Sequence, residues 1–493
     1  MSTTNAVTAR EQALLDSVPK GLLIAGAWRD GAGRATVPVE DPSTGEAIAA
    51  VADGTEQDAL DALSAAHDAF GAWRETAPRE RGEILRRAFE ELVARADELA
   101  LLMTLEMGKP LAESRAEVTY AAEFLRWYSE EAVRIDGRFT THQGGSGRLL
   151  TMKQPVGPCV FITPWNFPLA MGARKIGPAI AAGCTMVVKP AKLTPLSMLA
   201  LAQVLERAGV PAGVLNVITS SSSGRVMEPV IRDPRTRKLS FTGSTEVGRK
   251  LMAQASEQLL RVSMELGGNA PFLVFEDADL DAALDGAMIA KMRNIGEACT
   301  AANRFHVHES VAAEFASRFA ERMSRLKIGR GTEDGVEVGP LIDEDQLSKV
   351  AQLVDDAVGR GARVLCGGER VAGAGHFYKP TVLVDVPADA RMLHEEVFGP
   401  VAPVRTFDSE EQAVADANDT EFGLVAYLYT RDLSRALRVG ERLETGMVGL
   451  NQGLVSNAGA PFGGVKHSGF GREGGPEGIA EYVEYKYVAM PTP

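Results

Sequence analysis

The sequence predicts an α/β fold, and three features carry that prediction. From Val156 onward, short apolar runs alternate with helical stretches. Val160-Phe161-Ile162, Thr185 to Val188 and Leu215 to Ile218 are separated by helical segments at 169–182 and 195–208. Strands that alternate with helices build a parallel sheet, with ligands at the strand C-termini. A second α/β unit starts near Ala270-Pro271 and runs to about Leu450. Between 135 and 153 the character changes: Gly137, Gly144, Gly145 and Gly147 lie among Thr and Arg, followed by Leu149, Leu150 and Met152. That stretch reads as a β-hairpin inserted into the first unit.

The elements follow in order. Residues 1–20 form a polar lead-in with a short helix. Leu22 to Trp28, before Asp30-Gly31-Ala32-Gly33, is a short strand and a turn. Asp41-Pro42-Ser43-Thr44-Gly45-Glu46 is a turn that leads into a strand from Ala47 to Ala52. From Glu56 to Leu105 the period is helical: Leu60, Leu63, Ala66, His67 and Phe70 repeat at helix spacing, as do Ile84, Leu85, Phe89, Leu92 and Val93. Pro78-Arg79 starts a second helix within this run. Met107-Gly108-Lys109-Pro110 stops it, and Leu111 to Val133 resumes. Leu239-Ser240-Phe241 is a strand ending at Thr242-Gly243-Ser244. His306 and His308 fit an alternating strand better than a metal site.

The chain has 493 residues, enough for two or three domains. Its formal charge of −14, from 52 basic and 66 acidic residues, disfavours nucleic acid and anionic membrane as partners. The four cysteines, Cys159, Cys184, Cys299 and Cys366, form no CxxC and no Cys/His cluster. Neither a disulfide framework nor a metal site is expected. The start, M-S-T-T-N-A-V-T, is polar, and no apolar run approaches the ~20 residues of a membrane span. A reduced, cytoplasmic setting is the expectation.

Two segments carry candidate chemistry. Met264-Glu265-Leu266-Gly267-Gly268 offers a carboxylate, and Gly296-Glu297-Ala298-Cys299 offers a thiol. A thiolate can attack an electrophilic carbon, and a carboxylate can activate water to release the product. Read singly, Cys299 also fits a small buried hydrophobe and Glu265 a solvated charge. Together the two segments closely resemble those of the aldehyde dehydrogenase family. The resemblance extends from about Ile24 to the C-terminus.

The resemblance implies a Rossmann-type cofactor domain (1–134 and 154–265), an α/β catalytic domain (266–450) and a small β oligomerisation flap (135–153 and 480–493). The segment 451–479 returns to the active site and cofactor domain. The assembly is expected to be a homodimer or homotetramer. Thr163-Pro164-Trp165-Asn166 follows a buried strand, and the resemblance makes the Asn166 amide a donor to the aldehyde oxygen. That role agrees with the oxyanion that thiolate attack creates. The backbone N–H of Cys299 is the second donor. Thr163, Pro164, Trp165 and Leu266 join the cofactor site. Gly243 and Ser244, at a strand end and helix start, lie beneath the dinucleotide pyrophosphate. Lys189 holds the adenosine ribose. Lys192 stands where NAD-preferring relatives often carry Glu, so NADP is the expected cofactor, with NAD as the alternative. In the loop at 220–225, serine hydroxyls or Arg225 are further candidates to meet a phosphate. His394-Glu395-Glu396-Val397-Phe398-Gly399-Pro400 resembles the family's E-E-x-F-G-P motif, with Glu396 on the nicotinamide ribose and Phe398 beside it.

Arg174, Arg293 and Ser456 occupy positions resembling those at which succinate-semialdehyde dehydrogenases bind the distal carboxylate of the substrate. The alternative for either arginine is a salt bridge to a neighbouring helix. The implied reaction is NADP-dependent oxidation of succinate semialdehyde to succinate through a thioester on Cys299, without a metal. Glutarate semialdehyde or a broader range of aldehydes is the alternative substrate, and a catalytically silent member of the fold the more distant one. Ala301 stands where some relatives carry a second cysteine, so no local redox switch is expected.

Overall fold

A computed structural model describes residues 7–491. The lead-in therefore lies partly outside the described residues; within them, Ala9–Ser17 is a helix with a reciprocal cap between Thr8 and Glu11. The single strand expected from Leu22 to Trp28 is instead a hairpin of Leu22–Ile24 and Ala27–Arg29. Ala25 and Gly26, at φ 53° and 75°, make its tight turn. The Asn216 side chain fixes that turn by accepting from the Ala25 N–H at 2.9 Å.

Glu56–Glu75 and Pro78–Ala94 form the two expected helices. The run then breaks once more, at Arg95, before Ala96–Met107. No Gly or Pro marks that break, which is why the sequence pattern passes over it. Gly108, at φ 89°, ends the third helix, and Leu111–Glu131 follows.

The first large sheet runs, edge to edge, through Ala27–Arg29, Leu22–Ile24, Leu215–Val217, Met186–Lys189, Cys159–Ile162, Lys238–Thr242, Arg261–Glu265 and Gly469–Phe470. The five strands from Leu215–Val217 to Arg261–Glu265 are mutually parallel. Helices cover both faces, so most of these strands are buried along their length. The second sheet runs through Arg363–Cys366, Thr381–Val384, Val401–Phe407, Ala302–His308, Ala270–Val274, Val425–Tyr429 and Met447–Leu450. The third joins Arg138–Thr141 and Gly147–Pro155 to Val483–Pro491, with Val483 opposite Pro155 and Pro491 opposite Gly147. Phe139, Tyr485 and Tyr487 are exposed on it. No helix among the described residues is long and apolar enough to cross a membrane.

Connectivity places the candidate chemistry. Arg261–Glu265 ends on Glu265, and Leu266-Gly267-Gly268-Asn269 is all that separates it from Ala270–Val274 in the second sheet. Cys299 lies just before Ala302–His308, the strand parallel to Ala270–Val274. Both residues thus arrive at the seam between the two sheets, from opposite sides.

Candidate active site

A cavity of about 210 Å³ opens at that seam, and Asn166, Glu265 and Cys299 are all on its wall. Cys299 is brought there by an unusual turn. Asn294, Ile295 and Gly296 are consecutively left-handed, at φ 54°, 61° and 78°. Such backbone is costly for residues other than glycine and persists only when its surroundings fix it. Here the Asn294 amide donates to the carbonyls of Asn166 (3.0 Å) and Glu297 (2.8 Å), and Ile295 is buried. Gly268 lies beside the thiol segment; a Cβ there would stand 2.5 Å from the Cys299 carbonyl oxygen. Burial pushes the Cys299 thiol up to about 12, against the opposing pull of Arg174.

Both carboxyl oxygens of Glu265 are buried without a hydrogen-bond partner. Its pKa is raised, first by burial and then by the charge of Glu473, with Arg174 and Lys175 opposing. An unpartnered carboxyl on a cavity wall is an acceptor held ready for a proton. Asn166 is fixed by its neighbours: its Nδ2 donates to the Glu297 carbonyl at 2.9 Å, and its own carbonyl accepts from Lys109 Nζ at 2.8 Å. Lys109 is itself buried and paired with Glu117. The second hydrogen of the Asn166 amide remains for an oxyanion.

The cofactor candidates fall into two groups. Pro164, Trp165, Gly243, Ser244, Leu266, Glu396 and Phe398 line the cavity. Trp165 and Phe398 meet edge to face at 5.4 Å. Glu396 accepts from the Gly268 N–H at 3.1 Å, and burial pushes it up to about 7. Ser244 caps the helix Thr245–Ser256. Thr163, Lys189 and Lys192 are not on the cavity wall but lie at or just past the C-terminal ends of Cys159–Ile162 and Met186–Lys189. Lys189 is buried and pushed down to about 8, by burial first and by neighbouring Lys192 second, while Lys192 is exposed. Other candidates are already engaged: the Ser220 and Ser221 hydroxyls donate to Asp53, and Arg225 faces Glu56 at 3.7 Å.

Arg174, Arg293 and Ser456 share the same cavity. Arg293 donates to Ser456 Oγ at 3.2 Å and lies 4.8 Å from the centre of the Phe167 ring. Arg174 is buried with its guanidinium 4.0 Å from the Phe462 ring centre and 2.6 Å from a Glu473 oxygen, while its Nε–H has no partner. Part of its charge is therefore already met, by the C-terminal return rather than by a helix. Burial alone would raise Glu473, yet Arg174 and Lys175 hold it below the usual carboxylate range.

Glu473, Lys109, Glu117 and Asn294 are not singled out by motif reading. A signal for the first does exist. Arg174-Lys175 sits in an otherwise apolar helix, Ala170–Ala182, with no acid of its own, so a distant carboxylate has to meet it.

Comparison with known proteins agrees with this geometry. Residues 28–488 match the aldehyde dehydrogenase family. The chain is 59% identical over 446 residues to a succinate-semialdehyde dehydrogenase of Paenarthrobacter nicotinovorans, covering 90% of this chain and 99% of the relative. It is 51% identical over 468 residues to an NADP(+) succinate-semialdehyde dehydrogenase of Escherichia coli K12, covering 95% and 97%. The crystal structure of a succinate-semialdehyde dehydrogenase from Burkholderia pseudomallei superposes with a TM-score of 0.95 at 49% identity, covering 97% of this chain and 99% of that one. With the thiol, the buried carboxyl and the amide donor converging where two α/β units meet, and with a match along nearly the whole chain, this protein belongs to the aldehyde dehydrogenase family.

Proposed function

We propose that the protein oxidises succinate semialdehyde to succinate with NADP. The observation that carries this reading is one cavity that holds Cys299 and unpartnered Glu265 together with Arg293 bonded to Ser456. Cys299, as thiolate, attacks the aldehyde carbon. Asn166 and the Cys299 N–H receive the developing oxyanion. A nicotinamide held beside Glu396 and Phe398 would supply the hydride acceptor. Glu265 takes a proton from water as it attacks the resulting thioester, which leaves the carboxylic acid and the free thiol. Arg293 and Ser456 hold the distal carboxylate, and Arg174 adds positive charge behind them.

The residues fit a dinucleotide. Thr163 and Thr242, beside each other past and at the ends of paired strands, have buried hydroxyls without partners. Among the described residues Lys189 has no carboxylate within ion-pair distance, and Lys192 adds a second cation for a ribose 2′-phosphate. The four unpaired cysteines suit a reduced, cytoplasmic setting. The exposed aromatics of the three-stranded sheet suit assembly into a homodimer or homotetramer through that flap.

The test is reduction of NADP and NAD by purified protein with succinate semialdehyde, glutarate semialdehyde and butanal. Preference for succinate semialdehyde with NADP, reversed toward NAD by Lys192→Glu, is the expected result. Glutarate semialdehyde is one methylene longer and is discriminated by only ~1–3 kcal/mol. Equal kcat/KM on butanal would refute the carboxylate site, leaving a general aldehyde dehydrogenase.

A further inference from the structure

Tyr120 lies on the helix Leu111–Glu131, whose inner face supports the cavity. Its hydroxyl oxygen is buried and makes no hydrogen bond with any described residue. A buried hydroxyl of this kind is rare in a native protein, and where one occurs on a cavity wall it marks a place for a ligand atom. Its surroundings say which kind. The Arg293 guanidinium lies 5.7 Å from the Tyr120 ring centre, and the same guanidinium is bonded to Ser456. An edge-to-face contact with Phe124, 5.0 Å between ring centres, holds the ring in place.

Position adds a second observation. An outer groove runs along the same helix and the 456–459 loop, past Glu123, Arg126 and Trp127. Tyr120 and Ser456 are the two residues that line both this groove and the inner cavity. They stand where the groove and the cavity adjoin. Arg293 has no carboxylate partner among the described residues, so an anion arriving through the groove meets Arg293, Ser456 and the free hydroxyl of Tyr120 together.

We propose that Tyr120 is a specificity-determining residue: its hydroxyl donates to the distal carboxylate that Arg293 and Ser456 hold, where the outer groove and the inner cavity adjoin. This rests on the proposed semialdehyde substrate. An aromatic ring at this point excludes bulky aldehydes by its size, and its hydroxyl distinguishes a carboxylate from a methyl group at the far end of the chain.

Tyr120→Phe removes the hydroxyl and leaves the ring. Steady-state kinetics with succinate semialdehyde and with butanal, which has the same carbon count and no charge, test the proposal. Loss of a hydrogen bond to a charged group predicts a fall of about tenfold to a hundredfold in kcat/KM for succinate semialdehyde. The loss should appear mainly in KM, while butanal is unaffected. Inhibition by succinate, a binding readout that needs no turnover of a charged substrate, should weaken by the same factor, with butyrate unchanged. If wild-type protein prefers succinate semialdehyde and Tyr120→Phe keeps the same ratio to butanal, the role of Tyr120 is overturned and the substrate reading stands. Equal losses on both substrates would also overturn it, because they would mark the hydroxyl as structural. A wild-type protein indifferent between the two aldehydes would overturn the substrate reading, and this inference with it.

Discussion

Glu265 combines two properties that conflict in an ordinary surface carboxylate: it is almost wholly buried, and neither oxygen is bonded. Burial and the neighbouring charge of Glu473 raise its pKa, so it becomes a competent base only above the ordinary carboxylate range. The sign follows directly. Water activation requires the ionised form, so release of acid from the thioester should quicken as pH rises and slow as Glu265 gains its proton. Glu265→Gln should remove that limb and slow turnover about 10²–10⁴-fold. It should leave a rapid first turnover, seen as a burst of NADPH equal to the enzyme concentration. A variant without a burst and with an unchanged pH profile would assign the water to another base. The segments carrying Cys299, Glu265 and Asn166 stood out in the sequence through the family resemblance of their motifs, and the structure brings all three to one cavity. Glu473 did not stand out, because its role depends on two cations 298 and 299 residues earlier, a pairing that no local pattern encodes.

Secondary structure was legible where it is announced by local chemistry. Pro78 starts a helix and Gly108 stops one, as their backbone preferences dictate. The break at Arg95 was not, since Arg95 carries no turn preference of its own, nor was the hairpin at Ala25-Gly26, whose first turn residue carries none and is fixed by the distant Asn216 side chain. The left-handed turn at 294–296 belongs to the same class. Gly296 and, less freely, Asn294 are suited to positive φ while β-branched Ile295 is not, and a Cβ at 296 would meet the Gly399 carbonyl oxygen at 2.3 Å. Gly296→Ala should therefore cost about 2–3 kcal/mol of stability through backbone strain and overpacking. Because the Gly399 carbonyl also follows Glu396 and Phe398, the same change should disturb both the thiol and the cofactor loop. Thermal unfolding and the rate of Cys299 alkylation check the two effects. An alanine variant with wild-type Tm would mean that the turn relaxes without strain.

At the scale of the molecule, the two large sheets meet at a four-residue linker, and no residue of the third sheet lines the cavity. The alternation of strands and helices revealed the first two. The glycine-rich excursion revealed the hairpin of the third, though its central strand runs on to Pro155, past the expected 153; the last strand, Val483–Pro491, falls within the 480–493 that the family resemblance supplied. Tyr485 and Tyr487 are the most exposed aromatics on the long final strand. If the proposed assembly forms through this flap, replacing both with Asp should give a monomer in sedimentation velocity, since charge on an apolar contact surface is strongly unfavourable. An unchanged sedimentation coefficient would place the subunit contact elsewhere.

Glu473 also sets an order of events. Lys175 is made 298 residues before the carboxylate that neutralises it. At about 5–20 residues per second, a ribosome takes roughly 15–60 s to cover that distance. Throughout that interval the helix Ala170–Ala182 carries two cations that cannot be buried at low cost. In the folded chain the strand Gly469–Phe470 pairs beside Glu265, and Glu473, three residues on, meets both cations. A chain that ends before Glu473 therefore carries Cys299, Glu265 and Asn166 but lacks the carboxylate that meets Arg174 and Lys175.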